Sequence, residues 1–126
     1  LKLDYLFVYG TLLSNIENSM SRFLSANSEY VGKAYFVGKI YNIHDYPGAI
    51  LSTNASERVY GSIYKITNKA NVFEVLDRYE GVEEHLFKRI TVNAHLSSGD
   101  TLKTWVYIYN RSIADKKRIY SGDYLN

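Results

Sequence analysis

The stretch Tyr30-Val31-Gly32-Lys33-Ala34-Tyr35-Phe36-Val37-Gly38-Lys39-Ile40-Tyr41-Asn42-Ile43 decides the fold class of this chain. Val31, Tyr35, Val37, Tyr41 and Ile43 alternate with smaller or polar neighbours, which is the period of a strand. Gly32 and Gly38 interrupt the run and mark bends or bulges. A long strand bent at two points curves, and a curved strand suits a barrel.

Ahead of it, Tyr5 to Tyr9 is a continuous aromatic and β-branched run ending at Gly10, a buried strand that delivers the chain into a turn. Ile16, Met20, Phe23 and Leu24 recur at helical spacing and predict a short amphipathic helix over 15–25. Behind it, Tyr46-Pro47-Gly48-Ala49 puts Pro and Gly at the central positions of a type II turn, with a brief pairing expected over 49–51.

Val59 to Ile66 alternates as a strand. After Asn68 as N-cap, Val72, Phe73, Leu76 and Tyr79 predict a helix over 69–80 closed by Gly81. Phe87 to Leu96 and Leu102 to Tyr109 read as strands joined by the hairpin loop Ser97-Ser98-Gly99-Asp100. Strands that follow one another, with two helices between, predict an α+β fold: a small mixed β-barrel with two flanking helices.

At 126 residues, with no repeat or linker, 1–126 reads as a single domain. The absence of cysteine removes disulfides, thiolate metal sites and a Cys nucleophile, and points to a cytoplasmic home. No apolar run reaches the length of a membrane span, and the first residues lack the features of an export signal. A formal net charge of +2 is too small to argue for nucleic acid, and Lys116-Lys117-Arg118 reads as a solvated turn. His44, His85 and His95 lack the spacing of a metal site, and Ser and His occur without a nucleophile elbow.

Glu80 stands out chemically. At about 100° per residue it falls in the same arc as Phe73 and Leu76, so the pattern directs it inward. It also sits at the negative end of the helix dipole, and burial there raises a carboxyl pKa towards that of a general base. The same pattern equally suits a solvated Glu beside a glycine cap. Tyr9-Gly10-Thr11-Leu12 offers backbone N–H groups and a hydroxyl but lacks the spacing of a nucleotide-binding loop.

Taken together, Phe7-Val8-Tyr9-Gly10-Thr11-Leu12, Tyr46-Pro47-Gly48-Ala49, Val59-Tyr60-Gly61-Ser62-Ile63-Tyr64 and Leu76-Asp77-Arg78-Tyr79-Glu80-Gly81 resemble the γ-glutamylcyclotransferase family in order and spacing. The resemblance extends to its AIG2-like, BtrG-like and γ-glutamylamine branches. It takes in Arg89 and Ser121-Gly122-Asp123-Tyr124, and so nearly the whole chain. It implies a mixed barrel with flanking helices and a cofactor-independent transferase or lyase that closes a γ-glutamyl amide to 5-oxoproline. Glu80 falls on the family's catalytic Glu, and Tyr9, Gly10, Thr11 and Leu12 fall on the turn that binds the substrate's α-amino and α-carboxylate groups. Tyr124 is a further candidate for closing the pocket. One departure is Phe87, where many members carry Tyr.

The implied partner is a small γ-glutamyl substrate, with no metal, cofactor, nucleic acid or membrane, and the sequence leaves the oligomeric state and the leaving amine open. Two rival readings accompany this one: a catalytically silent ligand-binding protein of the same fold, and a protein-interaction module. An enzyme needs Glu80 in a cleft with residues 9–12, whereas an interaction module does not.

Overall fold

The computed structural model describes residues 4–10 and 19–124. In chain order the elements are β1 (Tyr5–Val8), α1 (Ser19–Ala26), β2 (Ser28–Asn42), β3 (Pro47–Leu51), β4 (Arg58–Ile66), α2 (Lys69–Tyr79), β5 (Phe87–Leu96), β6 (Thr101–Tyr109) and β7 (Lys117–Arg118). Strands β2, β4, β1, β6 and β5 pair in that order, and β5 returns to β2 through Ala34↔Leu96 and Tyr35↔His95 to close a barrel. Among the described residues its one parallel pair is β1 with β6, so the sheet is mixed as the sequence predicts.

The long strand behaves as its glycines suggest. A register shift between Tyr30 and Gly32 bulges β2 against β4. At Gly38 the strand changes partner: Val37 still pairs with Arg58 of β4, and Gly38 opens the pairing with Leu51 of β3. The first half of β2 therefore builds the barrel wall while its end leaves the ring with β3 and β7.

Two apolar layers result. Phe7, Ala34, Phe36, Val59, Ile63 and Val106 fill the barrel interior. Leu6, Val8, Tyr64, Ile66, Tyr107 and Tyr109, from the opposite faces of the same strands, pack with Leu24 of α1 and with Val72, Phe73 and Leu76 of α2. Strands β1, β4 and β6 thus contribute to both layers, and the continuous apolar runs of β1 and of the second half of β6 reflect burial on both faces.

The alternation in β2 does not say which face turns inward, and three further expectations need correction. Over most of β2 the interior takes Ala34, Phe36 and Ile40, whereas Val31 is exposed and Tyr35 and Val37 are half-buried on the outer side. A narrow barrel favours small or compact groups inside, and an outward Tyr keeps its hydroxyl in contact with water. Tyr79 likewise lies 46% exposed, so the apolar stripe of α2 stops at Leu76.

The Pro-Gly pair does not form a type II turn. Pro47 and Gly48 begin β3, opposite Asn42 and Tyr41, and the reversal falls on the preceding residues, where Asp45 takes φ 64° and Ile43 N–H donates to the Tyr46 carbonyl at 2.9 Å. Pro is tolerated as the first residue of a strand. Gly48 is required for close approach, because a Cβ there would lie 2.8 Å from Ile43 Cγ1 and 2.9 Å from Tyr109 Cβ. Finally, Lys117 and Arg118 are a strand paired with β2 rather than a solvated turn. Asn68 precedes α2 without a side-chain capping bond. Residues 15–18 of the expected first helix lie outside the described residues. No described helix is long and apolar enough to cross a membrane.

The contact at Gly48 yields a test. Ile43 can rotate away from a new methyl, but Tyr109 Cβ is fixed to the β6 backbone. Gly48→Ala is expected to lower stability by about 1–3 kcal/mol, read from the urea midpoint, and an unchanged midpoint would contradict this packing.

Candidate active site

Helix α2 ends in a Schellman motif. The Gly81 N–H donates to the Arg78 carbonyl at 3.2 Å and the Val82 N–H to the Asp77 carbonyl at 3.0 Å. Gly81 takes φ 67°, a left-handed conformation that a side chain disfavours. The motif stops the helix at Tyr79 and leaves Glu80 as its C-cap.

Glu80 lines a cavity of about 390 Å³, a size suited to a small molecule. Tyr9 and Gly10 enter it from the end of β1, Tyr46 and Pro47 from the β2–β3 hairpin, and Phe87 from the start of β5. Gly10 passes Pro47 so closely that a Cβ would stand 2.8 Å from Pro47 Cγ, which fixes the turn against the hairpin. Glu80 is therefore in one cleft with the described part of the 9–12 turn. Thr11 and Leu12 lie outside the described residues. Tyr124 does not line the cavity; its hydroxyl donates to the carbonyl of Asp45, a lining residue, at 3.3 Å.

Burial pushes the Glu80 carboxyl up from the ordinary glutamate range to about 7. The Tyr9 hydroxyl is already committed. It donates to the Tyr107 carbonyl at 2.6 Å and accepts from Ala49 N–H at 3.0 Å, tying β1 to β6 and β3. Burial holds that phenol above its ordinary range, opposing the Ala49 bond and aided by the Glu80 charge. Tyr46 is also raised, by burial first and then by neighbouring Tyr109 against the pull of Arg111, with Glu80 adding to the rise. Its ring packs 6.2 Å from Phe87, which in turn meets Tyr109 at 5.6 Å, and Tyr46 and Phe87 form an aromatic wall of the cavity that Glu80 lines.

One helical turn before Glu80, Asp77 anchors α2 to the barrel. Arg89 of β5 donates to it from Nε at 2.8 Å and from an Nη at 3.1 Å, and the Tyr107 hydroxyl of β6 donates at 2.6 Å. The Arg89 guanidinium lies between the rings of Phe73 and Trp105, 4.6 Å from each centroid. Burial alone raises the Asp77 pKa, but the Arg89 and Tyr107 bonds outweigh it and hold the carboxyl below its ordinary range. The sequence reading gave Asp77, Tyr107 and Tyr46 no role. Asp77 could have been found from its position three residues before Glu80 on the same helix face.

With this geometry in view, the chain can be compared with known proteins. A family model described as gamma-glutamyl cyclotransferase, AIG2-like, matches residues 6–126. The chain belongs to that family. A curated relative is the gamma-glutamylcyclotransferase family protein YtfP of Escherichia coli strain K12, 27% identical over 96% of each chain. The crystal structure of an AIG2-like protein from Mus musculus superposes with a TM-score of 0.76, 19% identity and coverage of 98% of this chain and 89% of that one. The solution structure of YtfP from Escherichia coli gives 0.65 at 25% identity, covering 97% and 96%. The barrel with two helices is thus the fold shared by this AIG2-like γ-glutamylcyclotransferase family member and its structural neighbours.

Two measurements follow from the site of this family member. Arg89→Lys keeps the charge but loses the two-point bond and the stacking between rings, and is expected to cost about 1–3 kcal/mol in chemical denaturation; a loss near zero would demote the pair to a surface contact. For Glu80, the folded carboxyl titrates near 7 and the unfolded one near 4.5, so the folded state binds more protons between these values. Stability therefore falls as pH rises through that window. Glu80→Gln should be free of this fall, and parallel pH profiles for the two proteins would contradict the burial of the carboxylate.

Proposed function

We propose that this protein is a cytoplasmic, cofactor-independent enzyme that cyclises a γ-glutamyl amide to 5-oxoproline and releases a free amine or amino acid. The observation that carries the reading is Glu80, a carboxyl raised to about 7 in a cavity it shares with Tyr9 and Gly10. Family membership over residues 6–126 supports the substrate class.

In this reading the turn at 9–12 holds the substrate's α-carboxylate and α-amine, with Thr11 and Leu12 contributing by their position in the sequence. Glu80 takes a proton from the α-ammonium. The freed amine attacks the γ-carbonyl carbon, forming the ring C–N bond and moving the carbonyl electron pair onto oxygen. Collapse of that tetrahedral centre breaks the bond to the leaving nitrogen, which receives the proton held by Glu80; Glu80 then takes the excess proton from the ring nitrogen and passes it to the released amine, which departs as an ammonium and leaves Glu80 a carboxylate again. One carboxylate thus acts as base and then as acid, and a pKa near neutrality suits both steps. Holding amine and carbonyl in a near-attack geometry supplies a large share of the rate in a cyclisation.

Phe87 supplies no hydroxyl where the family resemblance implies Tyr. Tyr46, packed against Phe87 in the same wall, brings a neutral phenol to the cavity instead. The interaction-module reading fits less well, because it gives no reason for Glu80 to share a cleft with Tyr9 and Gly10, as it does.

The test is 5-oxoproline release from a panel of γ-glutamyl amino acids and γ-glutamylamines. Native protein should release it with kcat/KM rising as pH increases through about 7, where Glu80 becomes the base. Glu80→Gln should reduce the rate by about 10²–10⁴-fold. Equal release by both proteins would remove Glu80 from its role, and silence of the folded native protein across the panel would favour the ligand-binding reading.

A further inference from the structure

A second cavity, of about 250 Å³, shares no lining residue with the first. Its walls come from Gly38, Lys39 and Ile40 of β2, from Glu57 and Arg58 at the entry to β4, and from the segment 118–122. Main-chain bonds fix these walls. Ile119 N–H donates to the Ile40 carbonyl at 2.8 Å, Tyr60 N–H to the Gly122 carbonyl at 2.8 Å, and Gly38 N–H to the Glu57 carbonyl at 3.0 Å. The cavity is therefore preformed.

Its chemistry is one-sided. Lys39, Arg58 and Arg118 contribute three positive charges and Glu57 one negative, leaving a formal +2 on the lining. Glu57 is already engaged: it accepts from the Ser52 hydroxyl and from an Arg118 Nη at 3.2 Å. The Ser52 bond above all, with Lys39 and Arg118 nearby, holds its carboxyl low against the opposing effect of desolvation. The Arg118 Nε–H is buried with no acceptor among the described residues. A buried donor left unpaired is costly, and the commonest remedies are a water or an ion. Tyr120, 81% exposed, stacks on the Arg118 guanidinium at 4.6 Å and lines the same cavity. Arg58 stacks on Tyr35 at 4.2 Å, an arrangement that leaves the edge of a guanidinium free for acceptors.

A cation is repelled here, and a neutral ligand leaves the surplus charge uncompensated. A doubly charged oxyanion matches it in sign, magnitude and acceptor count. We propose that this cavity is a binding site for dianionic phosphate, held by Arg118, Arg58 and Lys39 and separate from the Glu80 cleft.

The experiment titrates inorganic phosphate into the native chain at constant ionic strength, with sodium chloride as the balancing salt, and follows backbone amides by NMR. Saturable shifts are expected at residues 38–40, 57–58 and 118–122, with none around Glu80. Lys39→Ala and Arg58→Gln, each checked for a native-like spectrum, should weaken binding about tenfold or more. Shifts that grow without saturating, that chloride reproduces, that centre on the Glu80 cleft, or that persist at full affinity in both variants would overturn the site. None of these readouts depends on the cyclisation chemistry.

Discussion

The bond set around the Asp77 carboxylate holds the candidate site together. Surface ion pairs contribute little, because solvent screens them and ordering two long side chains costs entropy. The Asp77–Arg89 pair differs in three respects: it is two-point, its guanidinium is held between Phe73 and Trp105, and Tyr107 adds a third donor. These contacts bind α2 to β5 and to β6 at once. Since Asp77 lies one turn before Glu80, fixing it fixes the end of the helix from which Glu80 enters the cavity.

Asp77 and Glu80 then form an instructive pair. Both are carboxylates on the same side of one helix end, and both pay for desolvation. Asp77 is compensated by charged and neutral donors and is held ionised, whereas Glu80 is pushed to about 7 by burial alone. Two like groups have surroundings that drive their pKa values apart, and in the proposed function this is a division of labour, with one residue anchoring and the other exchanging protons. The Schellman turn makes the arrangement possible by ending the helix within the apolar layer instead of running it out to solvent.

The barrel was legible in the sequence where local chemistry and tertiary need agreed. The glycines of β2 stand at its bulge and at its change of partner, and the apolar runs of β1 and β6 are buried on both faces. Legibility failed where a local signal was overridden by packing. Pro47-Gly48 carries turn chemistry, but Gly48 is needed for close approach to Tyr109, and the reversal moved to Asp45. In β2, apolar side chains on both faces leave alternation unable to say which face turns inward. Lys117-Arg118 looked like a solvated turn because its partners, Tyr41, Asn42 and Glu57, are far away in the chain. Glu80 was legible as an inward carboxylate, while the groups that hold α2 in place depend on contacts between distant strands.

The same distinction explains why the cleft is built at this edge of the barrel. Its walls come from the end of β1, the β2–β3 hairpin and the start of β5, regions that no local pattern connects. Each is fastened by main chain or by a committed polar group: Tyr9 through its hydroxyl to β6 and β3, and Leu86, beside Phe87, through its carbonyl to Asn110 N–H at 2.9 Å. With those groups spent on structure, Glu80 is left as the carboxylate whose desolvation goes uncompensated. A fold of this size can sustain that cost because two apolar layers share the same strands, so that β1, β4 and β6 stabilise the interior and the helix-facing side together.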